Sequence, residues 1–181
     1  VQGEMDFVRQ HKAACRSLSA RQRGGDLPLR VTHNDTKLNN VLLDERTMKG
    51  LCVIDLDTVM PGLSAHDFGD TVRFGANDCR EDEEDQSKVH FLPQLYRVCE
   101  RGFLSQAGEV LTAQEKEVLR WGAKLMTLEC GMRFLTDYLQ GDVYFKIARP
   151  DQNLDRARTQ FTLVQQMEAC WDELAPEESK L

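Results

Sequence analysis

The chain has 181 residues, of which 41% are hydrophobic, and it carries a formal net charge of −7. This composition indicates a globular protein with a core, and the negative charge disfavours a nucleic-acid partner. The chain contains no run of about eighteen apolar residues, so we expect no contact with a membrane. Its six cysteines are scattered without a C-x-x-C pair, which favours reduced thiols in a cytoplasmic protein over a disulfide or zinc framework.

The first part of the chain predicts one helix followed by short strands. Apolar residues recur at helical spacing over 2–22, and the turn residues of RGGDLP end that helix. β-type runs at 29–32, 41–44 and 51–56 predict strands, and ERTMKG joins the last two as a hairpin. The segment 66–78 is expected to form a short helix.

The rest of the chain predicts helices. The charged run REDEEDQSK, residues 80–88, is expected to be a solvated loop or a helix start. Thr112 with Glu115 fits a capping box, and Gly141 provides a left-handed end. The helices predicted after this run cover 90–104, 112–141 and 153–174. The fold class is therefore predicted as mainly α with a small β-hairpin.

Three polar residues between the first predicted strand and the hairpin form the pattern H-x-D-x-x-x-x-N, with His33, Asp35 and Asn40. The return strand of the hairpin ends in VIDLD, which places Asp55 20 residues after Asp35. Because a hairpin returns close to its starting point, we expect Asp55 to lie beside this loop. The alternative interpretation is an Asn- and Asp-rich turn that caps a hairpin.

This set of side chains suits phosphoryl transfer. Magnesium prefers hard oxygen ligands, which Asn40 and Asp55 offer. Asp35 is the candidate base that accepts the proton of an acceptor hydroxyl, and His33 is expected to brace the loop. Lys37 either holds phosphate charge or is solvated. Asp57 is either a further metal ligand, on the same strand face as Asp55, or a hydrogen-bond acceptor for a loop.

A literal D-F-G occurs at residues 67–69, the motif in which protein kinases place a metal-binding aspartate. In this chain it falls beyond the hairpin, at the start of a predicted helix. We therefore interpret Asp67 as a helix N-cap or as an acceptor for the backbone of the catalytic loop. Asp70 and Arg73 are expected to pair on the same helix.

The segments HNDTKLNNVLLD, CVIDLDTVMPG and HDFGDTVRFGA together resemble the phosphotransferase family of aminoglycoside phosphotransferases and choline kinases. DTKLNNVL, DLDTVMPG and DFGD are most similar to its N-acetylhexosamine 1-kinase branch. The resemblance implies a kinase-like bilobal fold, ATP and Mg²⁺. It also implies phosphate transfer to the anomeric hydroxyl of an N-acetylhexosamine. Four residues match the sugar-pocket positions of that branch: Phe74, Arg133, Tyr144 and Trp171.

The resemblance also implies a domain organisation. Such kinases carry an N-terminal lobe with a phosphate-covering loop and an ATP-anchoring lysine, and no G-x-G-x-x-G precedes the motif. We therefore expect residues 1–181 to be a C-terminal lobe, with the N-terminal ATP lobe of the same protein absent from this chain. The catalytic loop and metal-binding hairpin would occupy 31–58, and helices 66–174.

Several alternatives stay open at this stage. Arg133 could instead form helix ion pairs with Glu129 and Asp137, and Phe74 and Trp171 could be core residues. The acceptor could be an amino alcohol or an aminoglycoside, whose positive charge would need an acidic cleft. The lobe could also be a non-catalytic binding module.

Overall fold

The computed structural model describes residues 1–176 and is mostly helical. The helices of this part of the chain are α1 (Gln2–Gln10), α2 (Ser17–Arg23), α3 (Ser64–Gly75), α4 (Pro93–Ala107), α5 (Ala113–Glu117), α6 (Leu119–Leu139) and α7 (Gln152–Ala169). Its strands are β1 (Arg30–Thr32), β2 (Val41–Leu43), β3 (Gly50–Val53) and β4 (Met60–Gly62). Within residues 1–176, no helix combines the length and apolar character needed to cross a membrane.

The strands form two antiparallel pairs. β2 pairs with β3 with Val41 opposite Val53, which confirms the predicted hairpin. β1 pairs with β4, a strand that the sequence did not predict. β4 contains Pro61 and Gly62, residues that are rare inside strands, and Pro61 is tolerated because β4 has only one partner strand.

Several predicted helices differ in length from those observed. The predicted helix 2–22 is two helices with a 3-10 turn over Ala14–Arg16 between them. The predicted helix 112–141 breaks at Val118, so the confirmed Thr112–Glu115 capping box starts the short α5. The confirmed positive φ of Gly141, +90°, follows the end of α6. The predicted helix 90–104 begins only at Pro93, and the last predicted helix ends at Ala169.

The contact between α3 and α6 organises the core. A Cβ atom on Gly122 would lie 1.9 Å from the backbone oxygen of Ala65, and one on Gly69 would lie 2.3 Å from that of Gly122. The two helix backbones therefore touch where they cross, and only glycine fits there. Phe68 and Leu128 beside the crossing are fully buried. This contact sets the position of α3, from which Asp67 faces the catalytic loop.

A buried carboxylate links three elements near the start of α3. Glu115 is 3% exposed and accepts hydrogen bonds from the Arg30 guanidinium (2.8 and 3.0 Å) and from Ser64 Oγ (3.0 Å). It also accepts from the backbone N–H of Thr112 at 2.9 Å. Burial raises the pKa of Glu115, but the hydrogen bonds from Arg30, Thr112 and Ser64 outweigh it and lower the pKa to about 2.

Replacing this carboxylate tests its contribution to stability. Glu115→Gln should lower the free energy of unfolding at pH 7 by roughly 1–3 kcal/mol, because a charged acceptor of four hydrogen bonds is lost. The folded-state pKa of Glu115 lies below its ordinary value of 4.5. The native protein should therefore lose this contribution as the pH falls from about 5 towards 2, whereas the variant lacks it at every pH.

Denaturant titrations at pH 7 and pH 3 measure both effects. Glu117→Gln is the matched control, since Glu117 lies on the same helix with a side chain that is 63% exposed, and it should change stability little. A Glu115→Gln protein as stable as the native one at pH 7 would contradict the assignment.

Candidate active site

The loop of residues 33–40 is held by the carboxylate of Asp67 on α3. Asp67 accepts hydrogen bonds from the backbone N–H groups of His33 and Asn34, both at 2.8 Å. Asn34 has a φ of +64°, a left-handed conformation that asparagine tolerates better than most residues. The prediction that Asp67 binds the loop backbone is confirmed. The alternative, an N-cap, is wrong because Leu63 occupies that position.

Asp35 lies in this loop with two hydrogen-bond donors on its carboxylate. Asp35 Oδ2 accepts from Lys37 Nζ and from Asn40 Nδ2, both at 2.8 Å. Asn40 Nδ2 also donates to the backbone oxygen of Asp35 at 2.9 Å. The Lys37 ammonium is therefore paired with Asp35, while its side chain remains 32% exposed. With its Nδ2 hydrogens engaged in this way, Asn40 has Oδ1 left for a cation.

These contacts control the protonation of Asp35. Partial burial raises the pKa of Asp35, but the hydrogen bonds from Lys37 and Asn40 and the charges of Lys37 and Arg73 outweigh burial and lower the pKa. The carboxylate is therefore ionised at neutral pH. It lines a cavity of about 410 Å³ together with residues of α3 and α4: Thr71, Gly75 and Cys99.

Hydrogen bonds from backbone and side chains join the end of the hairpin to both ends of the loop. The N–H of Ile54 donates to the carbonyl of Asn40 at 2.9 Å, and the carbonyl of Ile54 lies 3.1 Å from His33 Nε2. Thr58 Oγ1 donates to the carbonyl of His33 at 2.6 Å. His33 thus braces the loop, as predicted. Asp55 follows Ile54 directly and is therefore held beside His33 and Asn40.

Asp55 and Asp57 occupy different local structures. Asp55 follows β3 with a φ of +63°, and such strained positions are common at functional sites. Asp57 lies in a 3-10 turn over Leu56–Thr58. The strand alternation that would have placed both carboxylates on one face is therefore wrong, because β3 ends at Val53. Both side chains are exposed.

The donor set suits a cation that completes its shell with phosphate and water. Asn40 offers an amide oxygen and Asp55 a carboxylate, the hard donors that Mg²⁺ prefers. Within residues 1–176, no three His, Cys, Asp or Glu side chains gather as a metal site. Magnesium in nucleotide sites commonly has only one or two protein ligands, so the pair of Asn40 and Asp55 fits this metal.

The residues that match a sugar pocket are not all together. Arg133 and Tyr144 line one cavity of about 500 Å³, with the guanidinium 5.9 Å from the Tyr144 ring centre. Phe74 lines a second cavity of about 420 Å³. Trp171 lies away from both, edge-on against Trp121 at 4.9 Å. Their roles in acceptor binding stay predictions.

Asp137 has a role that the sequence did not reveal. It was considered as an ion-pair partner of Arg133, but its carboxylate accepts from the backbone N–H groups of Val143, Tyr144 and Phe145 at 2.8–3.0 Å. Asp137 is 3% exposed. The carboxylate therefore fixes the turn that brings Tyr144 over Arg133. Repeated backbone contacts of this kind leave no periodic signal in a sequence.

The acidic run 80–88 forms the predicted loop and is mostly exposed, but several of its carboxylates also pair with arginines. Arg73 binds Glu81 at 3.2 Å, and Arg149 lies within 3.8 Å of both Asp82 and Glu84. Arg73 also binds Asp70 at 2.8 Å, which confirms the predicted helix pair. The side chain of Arg73 is only 10% exposed, so its positive charge lies inside the protein and not on the surface.

Comparison with known proteins supports a family assignment. The family model APH, described as the phosphotransferase enzyme family, matches residues 2–99, which is more than half of the chain. The matched segment contains the loop of Asp35, both strand pairs and α3. The mainly helical structure of the chain, with its small hairpin, fits a kinase-like lobe. The chain therefore belongs to the phosphotransferase enzyme family.

Proposed function

We propose that this protein is an ATP-dependent kinase of small molecules that phosphorylates the anomeric hydroxyl of N-acetylhexosamines. The observation that carries the proposal is the state of Asp35. Its carboxylate is kept ionised by Lys37 and Asn40 and lines an open cavity. An ionised carboxylate in that position can orient an acceptor hydroxyl and take its proton as the new P–O bond forms.

The other loop residues have supporting roles in this proposal. Asn40 and Asp55 would hold Mg²⁺, which when bound offsets the charge of the nucleotide phosphates. His33 positions the loop through Ile54 rather than acting as a second base. Lys37 sets the charge state of Asp35 and can contact a phosphate when the nucleotide is present.

The choice of acceptor rests on the sequence motifs and on the charge around the α3 cavity. Cationic acceptors such as amino alcohols or aminoglycosides need an acidic cleft. Three carboxylates of the 80–88 run, those of Glu81, Asp82 and Glu84, are instead paired with Arg73 or Arg149. A neutral sugar is therefore favoured over a cation. Arg133 and Tyr144 in the cavity of about 500 Å³ offer a hydrogen-bond donor and an aromatic face of the kind that sugars use.

The surface around the hairpin supports a second lobe that covers the nucleotide. Large apolar side chains are exposed across the segment 29–60, and exposed apolar patches mark interaction sites. They include Val31 (84% exposed), Leu38 (57%), Leu51 (67%), Val53 (51%), Leu56 (58%) and Met60 (52%). We infer that an ATP-binding lobe of the same protein packs here. Without it, the chain would be a non-catalytic module.

The base assignment is tested with variants of the full-length protein and a panel of acceptors. Asp35→Asn should lower kcat for N-acetylglucosamine by about 10²–10⁴-fold and leave ATP binding largely intact, because only the proton acceptor is lost. Loss of less than about tenfold would show that Asp35 is not the base. Wild-type turnover of an amino alcohol or aminoglycoside, but of no N-acetylhexosamine, would reject the proposed acceptor.

The Lys37–Asp35 contact predicts a change in pH dependence. Lys37 lowers the pKa of Asp35, so Lys37→Met should raise that pKa. The acidic limb of the kcat/KM profile should then move to higher pH, because Asp35 becomes protonated earlier as the pH falls. Lys12→Met, at an exposed lysine far along the chain from the loop, is the control and should leave the profile unchanged. Superimposable profiles for native protein and Lys37→Met would contradict this role.

Asp55 and Asp67 should differ in what their loss affects. Asp55→Asn keeps a residue type that tolerates positive φ and removes the metal carboxylate. Turnover should fall on the order of a hundredfold, with a higher Mg²⁺ requirement and little change in Tm. Asp67→Asn disrupts two hydrogen bonds to the loop, so it should lower the free energy of unfolding by roughly 1–3 kcal/mol.

Thermal unfolding and Mg²⁺ titrations of both variants separate the two roles. A normal Tm for Asp67→Asn together with a raised Mg²⁺ requirement would mean that Asp67, and not Asp55, binds the metal.

A further inference from the structure

The residue that follows Asp35 is tied to α3 by its side chain. Thr36 Oγ1 donates a hydrogen bond to the backbone carbonyl of Asp67 at 2.5 Å. The carboxylate of the same Asp67 accepts from the N–H groups of His33 and Asn34. One residue of α3 therefore holds the loop on both sides of Asp35, through its carboxylate before that residue and through its carbonyl after it.

A second hydroxyl lies at the same junction. Thr71 Oγ1 on α3 is 3.0 Å from the carbonyl of Asp67 and 3.2 Å from the carbonyl of Thr36. A hydroxyl carries one proton, so Thr71 donates to one of these two oxygens at a time. Its bond to the carbonyl four residues earlier is common for threonine within a helix. The hydroxyl of Thr36 has the carbonyl of Asp67 as its acceptor, and it is therefore the direct side-chain link between this side of the loop and α3.

The chain around Asp35 depends on such side-chain links. Residues 35–37 belong to no helix or strand. Asn40 Nδ2 donates to the carbonyl of Asp35 at 2.9 Å, and Asp67 holds the two residues before it. Each residue has two soft backbone dihedral angles, so the chain after Asp35 could still rotate if the Thr36 hydroxyl were lost. The direction of the carboxylate would then vary, whereas a general base must lie within about 3 Å of the proton that it takes.

The surroundings of Thr36 place its hydroxyl at the site and not in the core. Thr36 and Thr71 line the cavity of about 410 Å³ together with Asp35, and Thr36 is only partly buried. Thr127 on α6 provides a contrast, because it is fully buried and its hydroxyl donates to the carbonyl of Ala123 at 2.8 Å. That bond stays within one helix and does not reach the loop.

We propose that Thr36 is a positioning residue for phosphoryl transfer, whose hydroxyl fixes the direction of the Asp35 carboxylate towards the acceptor. The inference rests on the proposed function, in which Asp35 takes the proton of the acceptor hydroxyl as the new P–O bond forms. Thr36 exchanges no proton in that step. Its contribution is orientation, which catalysis of this kind uses because the reacting groups must be held in line.

Steady-state kinetics of full-length variants test the inference. Thr36→Val keeps the β-branched shape and removes the hydroxyl. Its kcat should fall by about tenfold to a hundredfold, the scale expected for a misplaced catalytic group, while the KM values for acceptor and ATP change little. Thr36→Ala is a second variant without the hydroxyl and should show the same loss. Thr36→Ser keeps the hydroxyl, so it should restore most of the native kcat.

A double-mutant cycle with Asp35→Asn shows whether Thr36 acts through Asp35. If the hydroxyl orients that carboxylate, Thr36→Val should change kcat little once the carboxylate is gone. A purely structural role would lower kcat by the same factor in both backgrounds. Thr127→Val is the matched control, because it also removes a hydroxyl bonded to a helix carbonyl, and it should keep the native kcat. Thermal unfolding confirms that each variant is folded.

The outcomes distinguish the inference from the proposed function. A native kcat in folded Thr36→Val or Thr36→Ala, or an equal loss in both backgrounds of the cycle, overturns the inference and leaves the proposed function in place. A loss that Thr36→Ser does not reverse overturns the inference as well. An Asp35→Asn protein that keeps most of the native kcat rejects both, since Thr36 would then have no base to position.

Discussion

The geometry of the candidate site depends on the carboxylate of Asp67 and its two hydrogen bonds to the backbone of the catalytic loop. Such bonds orient a loop only if the helix that carries the carboxylate cannot move. The contact between Gly69 and Gly122 provides this rigidity, because the backbones of α3 and α6 meet without side chains between them. In this chain, therefore, Asp67 of the D-F-G anchors the loop, Phe68 is a core side chain, and Gly69 allows the helices to cross.

The loop is held from a second direction by the end of the hairpin. The N–H of Ile54 bonds to the carbonyl of Asn40, and its carbonyl contacts the ring of His33. The residue directly before Asp55 is therefore fixed in position. The candidate metal ligands Asn40 and Asp55 are thus positioned by backbone hydrogen bonds rather than by contact with each other. Preorganisation of this kind suits phosphoryl transfer, in which the protein mainly positions the reactants and stabilises charge.

Charge compensation shapes the opposite side of α3. Arg73 is nearly buried and connects Asp70 to Glu81, while Arg149 pairs with Asp82 and Glu84 of the acidic run. The paired charges leave a cavity that is polar without a large net charge.

Local sequence determined the parts of this protein that depend on short spacing. The hairpin, the Thr112–Glu115 capping box, the left-handed Gly141 and the loop motif of His33, Asp35 and Asn40 could all be predicted. Each of these features depends on residues only a few positions apart. Turn residues, capping residues or short motifs therefore reveal it in the sequence. The family resemblance likewise came from contiguous segments within residues 31–78, all of which the family model covers.

Only the tertiary structure decided which distant residues meet. Lys37 pairs with Asp35, Asp137 binds the turn at 143–145, and the acidic run meets Arg73 and Arg149 because packing, not periodicity, sets these contacts. The same reason explains the strand β4, which exists because β1 lies beside it despite its proline and glycine.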